Sequence, residues 1–287
     1  MAKTSVSTFK IIKNTENHRL IVGDLIAVEE PLEIILDYGP LENRKSVNLA
    51  ITMRTPGNDL ELVYGFLATE QLINEPEELV SVRHCRTVNS AVDGNTVKVQ
   101  LHPQVHFEPG KSLRHFYINS SCGICGKTSV DSVMETCTFS EENSHLLVRA
   151  EVIKSLPEVL REKQMVFNRT GGLHAAALFD QQGKPVWWRE DVGRHNAVDK
   201  VLGAAFAQNK WPLNNFILLV SGRISFELVQ KALRAGVRFM AAIGAPSSLA
   251  VELARRADMT LVGFLSEKRF NVYHGANRIN ETSEVVT

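Results

Sequence analysis

The chain has 287 residues, of which 44% are hydrophobic, so it can bury a full core as one large domain or two smaller ones. Its 32 basic residues balance its 32 acidic residues, and this excludes a strong overall field that would draw the protein to nucleic acid or to an anionic membrane. Any anionic ligand must therefore be held by a local site. We expect neither a signal peptide nor a membrane-spanning segment, because no apolar stretch is long enough, and the expected compartment is the cytoplasm.

Residues 23–106 contain short apolar runs that alternate with polar residues and are broken by turn formers, a pattern typical of β-strands. One helix interrupts them, with Asn58 as its predicted N-cap and Leu72 as its predicted end. Its apolar positions at helical spacing are Leu60, Val63, Tyr64 and Leu67. This spacing predicts one apolar face that packs against the sheet.

Residues 109–145 combine Gly, Ser, Thr and Asn with three of the four cysteines and have no sustained hydrophobic period. This composition predicts a long loop or an irregular hairpin, and a loop of that length inside a compact protein is usually functional or mobile. An inter-domain linker is the alternative, but a linker rarely concentrates thiols.

The rest of the chain alternates between strand and helix patterns. A helix at 155–163 is followed by a hairpin at HAAALFD and PVWWRED, and further helices are predicted at 194–202, 225–235 and 248–256. The strands between them are NFILLVS, VRFMAAIG and TLVGFL, the last of these being the final predicted strand. Such alternation predicts right-handed crossovers and a parallel sheet covered on both faces. The loops after these strands, 221–223, 244–246 and 265–269, should then share one rim, where ligands collect in such sheets.

Cys122 and Cys125 form the strongest local motif, Ser-Ser-Cys-Gly-Ile-Cys-Gly. Four cysteines are too few for a disulfide scaffold in a chain this long, so reduced thiols are expected. Two thiols at this spacing, with a glycine after each, suit disulfide exchange, metal binding or persulfide handling. They could also be thiols that merely meet in a loop.

A zinc site is the main rival interpretation of this motif. A tetrahedral site needs four ligands, and the chain has no second Cys-x-x-Cys at finger-like spacing, so no metal site is predicted. The further ligands that could complete such a site are Cys137 with His115, His145 or the neighbouring pair His84 and Cys85. A thioredoxin-type role is weaker because the pair lies outside any βαβ start. The sequence around Gly126 also fails the Walker A pattern, which needs glycine where this chain has Ser121.

His174 and the pair Arg194 and His195 make a second constellation, in the segments TGGLHAA and EDVGRHN. The second segment begins a helix, so its backbone N–H groups and these side chains together could hold a phosphate. The alternatives are that His174 is a hydrogen-bonded core residue and that Asp191 and Arg194 form an ordinary helix-start pair.

The predicted rim carries a third constellation of cationic residues and one aromatic ring. Cationic side chains at the ends of parallel strands could neutralise a pyrophosphate, while Phe264 stacks on a flat ring. Taken singly they are solvated surface charges, but as a group they indicate a dinucleotide-sized anionic ligand. The polar members of this rim are Ser221, Arg223, Lys268 and Arg269.

Long blocks in order along almost the whole chain resemble the formate dehydrogenase accessory sulfurtransferase family (FdhD/NarQ). They include SSCGICG, FNRTGGLHAA, EDVGRHNAVDKVLG, LLVSGRISFELVQKA, AAIGAPSSLAVELA and, in the first half, DLELVYGFLATEQLI. The resemblance implies a sulfur carrier that takes sulfane sulfur from a cysteine desulfurase as a persulfide on Cys122, with Cys125 assisting. The sulfur passes to molybdenum or tungsten bound by two molybdopterin guanine dinucleotides, before this cofactor enters the catalytic subunit of formate dehydrogenase. The cofactor would be a bound client and not a permanent group.

The same resemblance implies an α/β (α+β overall) fold of three segments. These are a β-rich N-terminal domain with one helix at 1–115, a mobile loop at 116–150, and a cytidine-deaminase-like three-layer α/β sandwich at 151–287. It also implies a homodimer. Deaminase activity is not expected, because Ala175 and Ala176 follow His174 where zinc deaminases need a catalytic Glu, and no cysteine follows Cys137.

By the same resemblance, the segment that binds the guanine nucleotide falls at 264–269. Its members are Phe264, Leu265, Ser266, Glu267, Lys268 and Arg269. This segment has no glycine, and it contains an acidic residue, which departs from the form often seen in the family. Two further classes of function are a cofactor-binding chaperone without sulfur transfer and, more remotely, a zinc-dependent hydrolase.

Overall fold

The computed structural model describes residues 3–85, 94–109 and 146–280. These residues form a mixed α/β fold in which six α-helices accompany two main sheets. None of these helices is long and apolar enough to span a bilayer.

The N-terminal half contains a two-stranded ribbon and a four-stranded sheet. The ribbon is antiparallel, β1 (Val6–Asn14) with β2 (Arg19–Ala27), and was not predicted before Gly23. Most of its residues are exposed, because both faces of this separate ribbon meet solvent. Without a buried face, its sequence needs no clear alternation of apolar and polar residues, which is the pattern that predicts a strand. The sheet has the order β4-β3-β6-β5, with β3 and β6 parallel and the outer pairs antiparallel. Its strands are β3 (Glu30–Tyr38), β4 (Lys45–Arg54), β5 (Leu79–His84) and β6 (Thr96–Leu101).

Helix α1 (Asp59–Thr69) covers one face of this four-stranded sheet, as predicted. It starts after Asn58, which is the N-cap in a left-handed conformation but makes no side-chain capping bond. Buried residues Leu62, Val63 and Leu67 fill the space between helix and sheet. Short 3-10 helices lie at Leu41–Asn43 and Pro76–Glu78.

The C-terminal half is built on a six-stranded sheet with the order β13-β12-β11-β10-β8-β9. The strands are β8 (His174–Phe179), β9 (Pro185–Asp191), β10 (Ile217–Val220), β11 (Phe239–Ala242), β12 (Thr260–Gly263) and β13 (Asn271–His274). One face is covered by α4 (Arg194–Phe206), α5 (Phe226–Arg234) and α6 (Ser248–Arg256). The other face is covered by α2 (Ala150–Lys163), which is followed by the short helix α3 (Phe167–Thr170).

The sheet is mixed, so the prediction of a parallel sheet holds only for its centre. Strands β10, β11 and β12 are parallel, whereas β8, β9 and β13 are antiparallel to their neighbours. A hairpin cannot join parallel strands, and the predicted β8–β9 hairpin therefore adds an antiparallel edge. TLVGFL is also not the last strand: β13 follows it, then the 3-10 helix Ala276–Arg278 and β14 (Ile279–Asn280), which pairs with β7 (Val148–Arg149).

Two glycines bring α1 and α4 into backbone contact, and this crossing joins the two halves. A Cβ atom added to Gly65 would lie 1.9 Å from the backbone oxygen of Asp199, and one added to Gly203 would lie 1.9 Å from the backbone oxygen of Glu61. No other residue type fits at either position without moving a helix. Every residue of α4 from Ala197 to Phe206 is buried, as expected of a helix surrounded by protein.

Buried ion pairs surround this crossing. Lys231 on α5 binds Asp199 on α4 at 3.0 Å and Glu70 after α1 at 3.0 Å, and it donates to Thr69 Oγ1 at 2.9 Å. Burial alone would lower the pKa of Lys231, but the charges of Asp199 and Glu70 outweigh it and raise this pKa. Lys231 therefore stays charged and links three helices.

We expect Gly203→Ala to lower the free energy of unfolding by about 2 kcal/mol or more, because overpacking a tight contact costs roughly 1–3 kcal/mol. Helix propensity alone predicts the opposite sign, a gain of about 1 kcal/mol for Ala over Gly. Urea unfolding at pH 7.5 would measure the change. Gly23→Ala in the exposed part of β2, where the nearest atom to the added Cβ lies at 3.4 Å, is the matched control and should change stability by less than about 0.5 kcal/mol. A stabilised Gly203→Ala protein would contradict the backbone crossing.

Candidate functional site

The two cysteines of the predicted sulfur site, Cys122 and Cys125, lie outside the described residues. The same is true of Cys137, His115 and His145, so the thiol site stays a prediction and its zinc alternative is not tested. Within the described ranges, no cluster of three or more His, Cys, Asp or Glu side chains is arranged to hold a metal ion. Cys85, which is described, is a free and partly exposed thiol.

The loops after the three parallel strands lie side by side at the carboxyl ends of these strands. Ile243 N–H donates to Val220 O at 3.1 Å, Gly244 N–H donates to Gly222 O at 3.2 Å, and Phe264 N–H donates to Gly244 O at 3.0 Å. The rim that the sequence predicted is therefore present, and its loops are held together by backbone hydrogen bonds.

Residues 264–269 form a tight turn at this rim. Phe264 has φ +51°, a left-handed conformation that is uncommon outside glycine, and the residue is 47% exposed. Leu265 is buried and packs in the core. Ser266 closes the turn, since its N–H donates to Arg269 O at 2.9 Å. Glu267 and Lys268 lie between these ends, and both are exposed.

His174 and Arg194 lie next to the first loop of the rim, which begins at Ser221. Ala175 N–H donates to Ser221 Oγ at 2.9 Å, which fixes the start of β8 against the end of β10. A Cβ atom on Gly222 would lie 3.3 Å from His174 Nδ1, a tight contact, and 3.9 Å from Arg194 Cδ, an ordinary one, so both side chains lie against this glycine. Burial, aided by the charge of Arg194, lowers the pKa of His174, and this histidine is neutral near pH 7.

Arg194 has a buried Nε with no hydrogen-bond partner in the described part of the chain. The residue is the first of α4, where backbone N–H groups also favour an anion. Arg223, after β10, is exposed. The rim thus offers cationic groups at Arg223, Lys268 and Arg269, and Arg194 lies next to it.

Asp191 has a structural role at the start of α4. It is fully buried, its Oδ2 lies 2.7 Å from Lys200 Nζ, and its Oδ1 accepts from Gly193 N–H at 2.8 Å. Lys200 also donates to Thr55 O at 2.8 Å. These contacts do not include Arg194, so the predicted Asp191–Arg194 pair is not the one that forms; Asp191 pairs with Lys200 and holds the backbone at the start of α4.

His195 points toward α5 and away from His174. Its Nε2 lies 3.5 Å from Ser225 Oγ and 4.0 Å from Glu227 Oε2. Burial, together with the charges of Lys231 and Arg194, lowers the pKa of His195 to about 4, although the charges of Glu227 and Glu70 act in the opposite direction. At neutral pH, His195 can therefore offer an anion a hydrogen bond but no charge.

A cleft of about 990 Å³ opens between α2, α3 and the rim. Three of the predicted site residues line it, namely His174, Ser221 and Glu267. Its opposite wall was missed by sequence reasoning and consists of Glu158, Arg161, Glu162, Gln164, Phe167 and Asn168. Sequence reasoning could not find this wall from α2, because the polar side of this helix resembles any solvated helix face. The only sequence signal for it was the block FNRTGGLHAA, which begins at Phe167.

We expect His195→Gln to flatten the acid side of the stability profile. Between pH 6.5 and about 4 the unfolded chain binds a proton at His195 that the folded chain does not, so this residue contributes stability near pH 7 that is lost as the pH falls through that window. The loss of unfolding free energy between pH 7 and pH 5 should shrink by on the order of 1–2 kcal/mol in the variant, measured by urea unfolding. The exposed His18 supplies the control His18→Gln, and equal pH slopes in all three proteins would contradict the burial of His195.

Comparison with known proteins identifies the family. The model of the FdhD/NarQ family matches residues 27–280. A relative from Nocardia farcinica, named sulfur carrier protein FdhD, is 44% identical over 96% of this chain and 95% of its own length. A relative of the same name from Saccharolobus solfataricus is 41% identical over 96% of this chain and 98% of its own length.

A solved structure has the same fold over almost the whole chain. It is the crystal structure of a candidate formate dehydrogenase accessory protein from Desulfotalea psychrophila, with 24% identity and a TM-score of 0.73 over 96% of this chain and 100% of that one. At this identity the likeness concerns the fold alone. The family match and the curated relatives establish membership, and the chain belongs to the FdhD/NarQ family.

Proposed function

We propose that this protein is a cytoplasmic sulfur carrier that takes sulfane sulfur onto Cys122 and delivers it to the molybdenum cofactor destined for formate dehydrogenase. The observation that carries the proposal is the 44% identity, over 96% of the chain, to a relative named sulfur carrier protein. The solved structure with this fold is described as a formate dehydrogenase accessory protein, which supports the same client enzyme. The donor would be a cysteine desulfurase, and the recipient would be the catalytic subunit of formate dehydrogenase.

The cofactor is the cargo in this proposal and not a resident group. Two molybdopterin guanine dinucleotides on molybdenum or tungsten carry several phosphates, and four cationic side chains, Arg194, Arg223, Lys268 and Arg269, lie at or next to the rim. Arg194 supports a phosphate contact best, because it is the first residue of α4, where backbone N–H groups also favour an anion. The exposed ring of Phe264 supports stacking of the guanine. The proposal also includes a homodimer and a cytidine-deaminase-like arrangement of the C-terminal sandwich.

Sulfur transfer needs only thiol chemistry at the protein. The Cys122 thiolate attacks the outer sulfur of the donor persulfide, a new S–S bond forms at Cys122, and the donor cysteine leaves as a thiolate. Cys125 then accepts this sulfur, or it attacks Cys122 to form a disulfide and releases the sulfur as hydrosulfide. In the second route the two thiols are oxidised by two electrons, and these electrons reduce the sulfane sulfur to sulfide. The two routes leave different masses on the protein.

Cys122→Ala should abolish maturation of formate dehydrogenase while leaving the fold unchanged. After incubation with a cysteine desulfurase and cysteine, the wild-type Cys122 peptide should gain about 32 Da per sulfane sulfur by mass spectrometry. Cys85→Ala is the matched control, because this free thiol lies outside the motif, and it should retain the gain. Normal maturation by Cys122→Ala would refute the carrier role. A wild-type protein that supports maturation without any mass gain would favour a cofactor-binding chaperone.

The double variant Lys268→Ala/Arg269→Ala should bind GDP roughly ten- to a hundredfold more weakly than wild type, because charge-assisted hydrogen bonds to phosphate are lost. Isothermal titration calorimetry at low salt would measure this. Arg255→Ala/Arg256→Ala is the matched control: this pair is also exposed, but it ends α6, which runs from the rim back to the opposite edge of the sheet. Equal GDP affinity in both double variants would show that the phosphates do not bind at residues 264–269.

A further inference from the structure

The wall of the cleft that faces the rim differs from the rim in charge. Glu158 and Glu162 lie one helical turn apart on α2, where like charges repel, and Glu267 lines the cleft from the other side. Arg161 is the only cationic side chain among the residues that line the cleft in the described part of the chain. The cleft is therefore acidic and the rim beside it is cationic. A ligand with one anionic end would place its phosphates at the rim and its uncharged end in the cleft.

Gln164 gives this wall an unused hydrogen-bonding group. The residue ends α2 and is only 4% exposed. Its backbone is held at both sides, since its N–H donates to Arg161 O at 3.2 Å and its C=O accepts from Asn168 N–H at 2.9 Å. No hydrogen bond among the described residues uses its side-chain amide, and the amide atoms are not fully enclosed by protein. Buried amides normally have hydrogen-bond partners, so this one, which lines the cleft and has none among the described residues, is available to a ligand in the cleft.

Phe167 and Arg161 give the same wall a flat surface. The guanidinium carbon of Arg161 lies 4.4 Å from the centroid of the Phe167 ring. Heterocyclic rings stack in proteins on aromatic faces and on guanidinium planes, and this pair offers both. The surface is also held in place, because Glu190 on β9 accepts from the backbone N–H groups of Val166 at 2.9 Å and Phe167 at 2.7 Å.

We propose that the α2–α3 wall is a subsite for a planar heterocycle with a 2-amino-4-oxopyrimidine edge, the edge that guanine and pterin share. This edge has two adjacent N–H donors beside one carbonyl acceptor. The carboxylates of Glu158 and Glu162 are acceptors for the donors, the amide of Gln164 can both donate and accept, and Phe167 with Arg161 stacks on the ring. The inference rests on the proposed function and extends it, because it assigns the ring end of the client to a wall distinct from residues 264–269.

The size of the cleft agrees with this assignment. Pockets that bury a drug-sized ligand have volumes of roughly 300–1,000 Å³, and the cleft, at about 990 Å³, lies at the upper end of that range. A single ring system on the α2–α3 wall leaves room for the chain of atoms that leads to the phosphates at the rim.

The test measures how the intact wild-type protein binds ligands that have the 2-amino-4-oxopyrimidine edge and ligands that lack it. The probes are 6-hydroxymethylpterin against lumazine, which lacks the 2-amino group, and GDP against ADP. Pterin and lumazine binding would be followed by fluorescence, and nucleotide binding by calorimetry. We expect at least one probe with the edge to bind about tenfold or more tightly than its partner without it. Equal affinities within both pairs would overturn the proposal without the need for any variant.

Variants then show where the discrimination arises. Gln164→Leu keeps the volume but removes the amide and should reduce the discrimination to less than about threefold. Phe167→Ala should weaken the discriminated probe by about tenfold. Met165→Ala is the matched control, because this neighbouring residue is 68% exposed and does not line the cleft. It should change neither the discrimination between the probes nor the affinity for the favoured probe. If the pterin responds to these changes, the pterin occupies the wall; if only GDP responds, the guanine does. Discrimination that survives both changes would overturn the placement.

Persulfide loading of Cys122 separates this inference from the proposed function. Gln164→Leu and Phe167→Ala should load sulfur from the desulfurase as wild type does, because neither residue belongs to the thiol motif. Edge discrimination in a protein that never loads sulfur would support the subsite and refute the carrier role. Sulfur loading without edge discrimination would support the carrier role and refute the subsite.

Discussion

The close crossing of α1 and α4 is the contact on which the rest of the structure depends. Gly65 and Gly203 allow the two backbones to meet where any side chain would collide with a carbonyl oxygen. Because α1 packs on the N-terminal sheet and α4 on the six-stranded sheet, the crossing places the two sheets on opposite sides of this helix pair. Lys231 on α5 pairs with Asp199 on α4, and Lys200 on α4 pairs with Asp191 on β9, so removing either lysine would leave a buried carboxylate unpaired.

This arrangement determines how the start of α4 meets the rim. Thr55, from the end of the N-terminal sheet, donates its N–H to Asp191 and accepts from Lys200 through its carbonyl oxygen. Asp191 in turn holds the N–H of Gly193, so the position of Arg194 depends on residues from both halves of the chain. A ligand group near Arg194 would therefore meet a preorganised cation, which lowers the entropy that binding must overcome.

The separation of charge across the cleft would let a chain without net charge bind the strongly anionic client proposed for it. Basic and acidic residues are equal in number, yet the rim is cationic while the α2 wall is acidic. Local fields of this kind orient a ligand instead of only attracting it, since the phosphate end and the ring end favour different walls. The neutral state of His174 and His195 near pH 7 means that arginine and lysine supply the positive charge.

The sequence by itself determined the family and much of the local structure. The helix predicted at 248–256 has these same bounds in the structure, because its signals are local: Ser247 accepts from Ala250 N–H at its start, and the apolar period runs through the helix. The blocks that identify the family are also strings of neighbouring residues. The placement of Cys122 and Cys125 stays a prediction, since both lie outside the described ranges.

Only the tertiary structure decided which distant surfaces meet. Gly65 and Gly203 are ordinary helix residues in the sequence, and their contact exists because two helices far apart along the chain cross at that point. Gln164 likewise shows no special signal, since a glutamine at a helix end is normally solvated. The packing of α2 and α3 beside the rim buries it and leaves its side-chain amide without a partner among residues 3–85, 94–109 and 146–280. Hydrophobic periodicity reports the conformation of a segment and its buried face, whereas a binding wall arises from polar faces whose neighbours are set by packing across the whole chain.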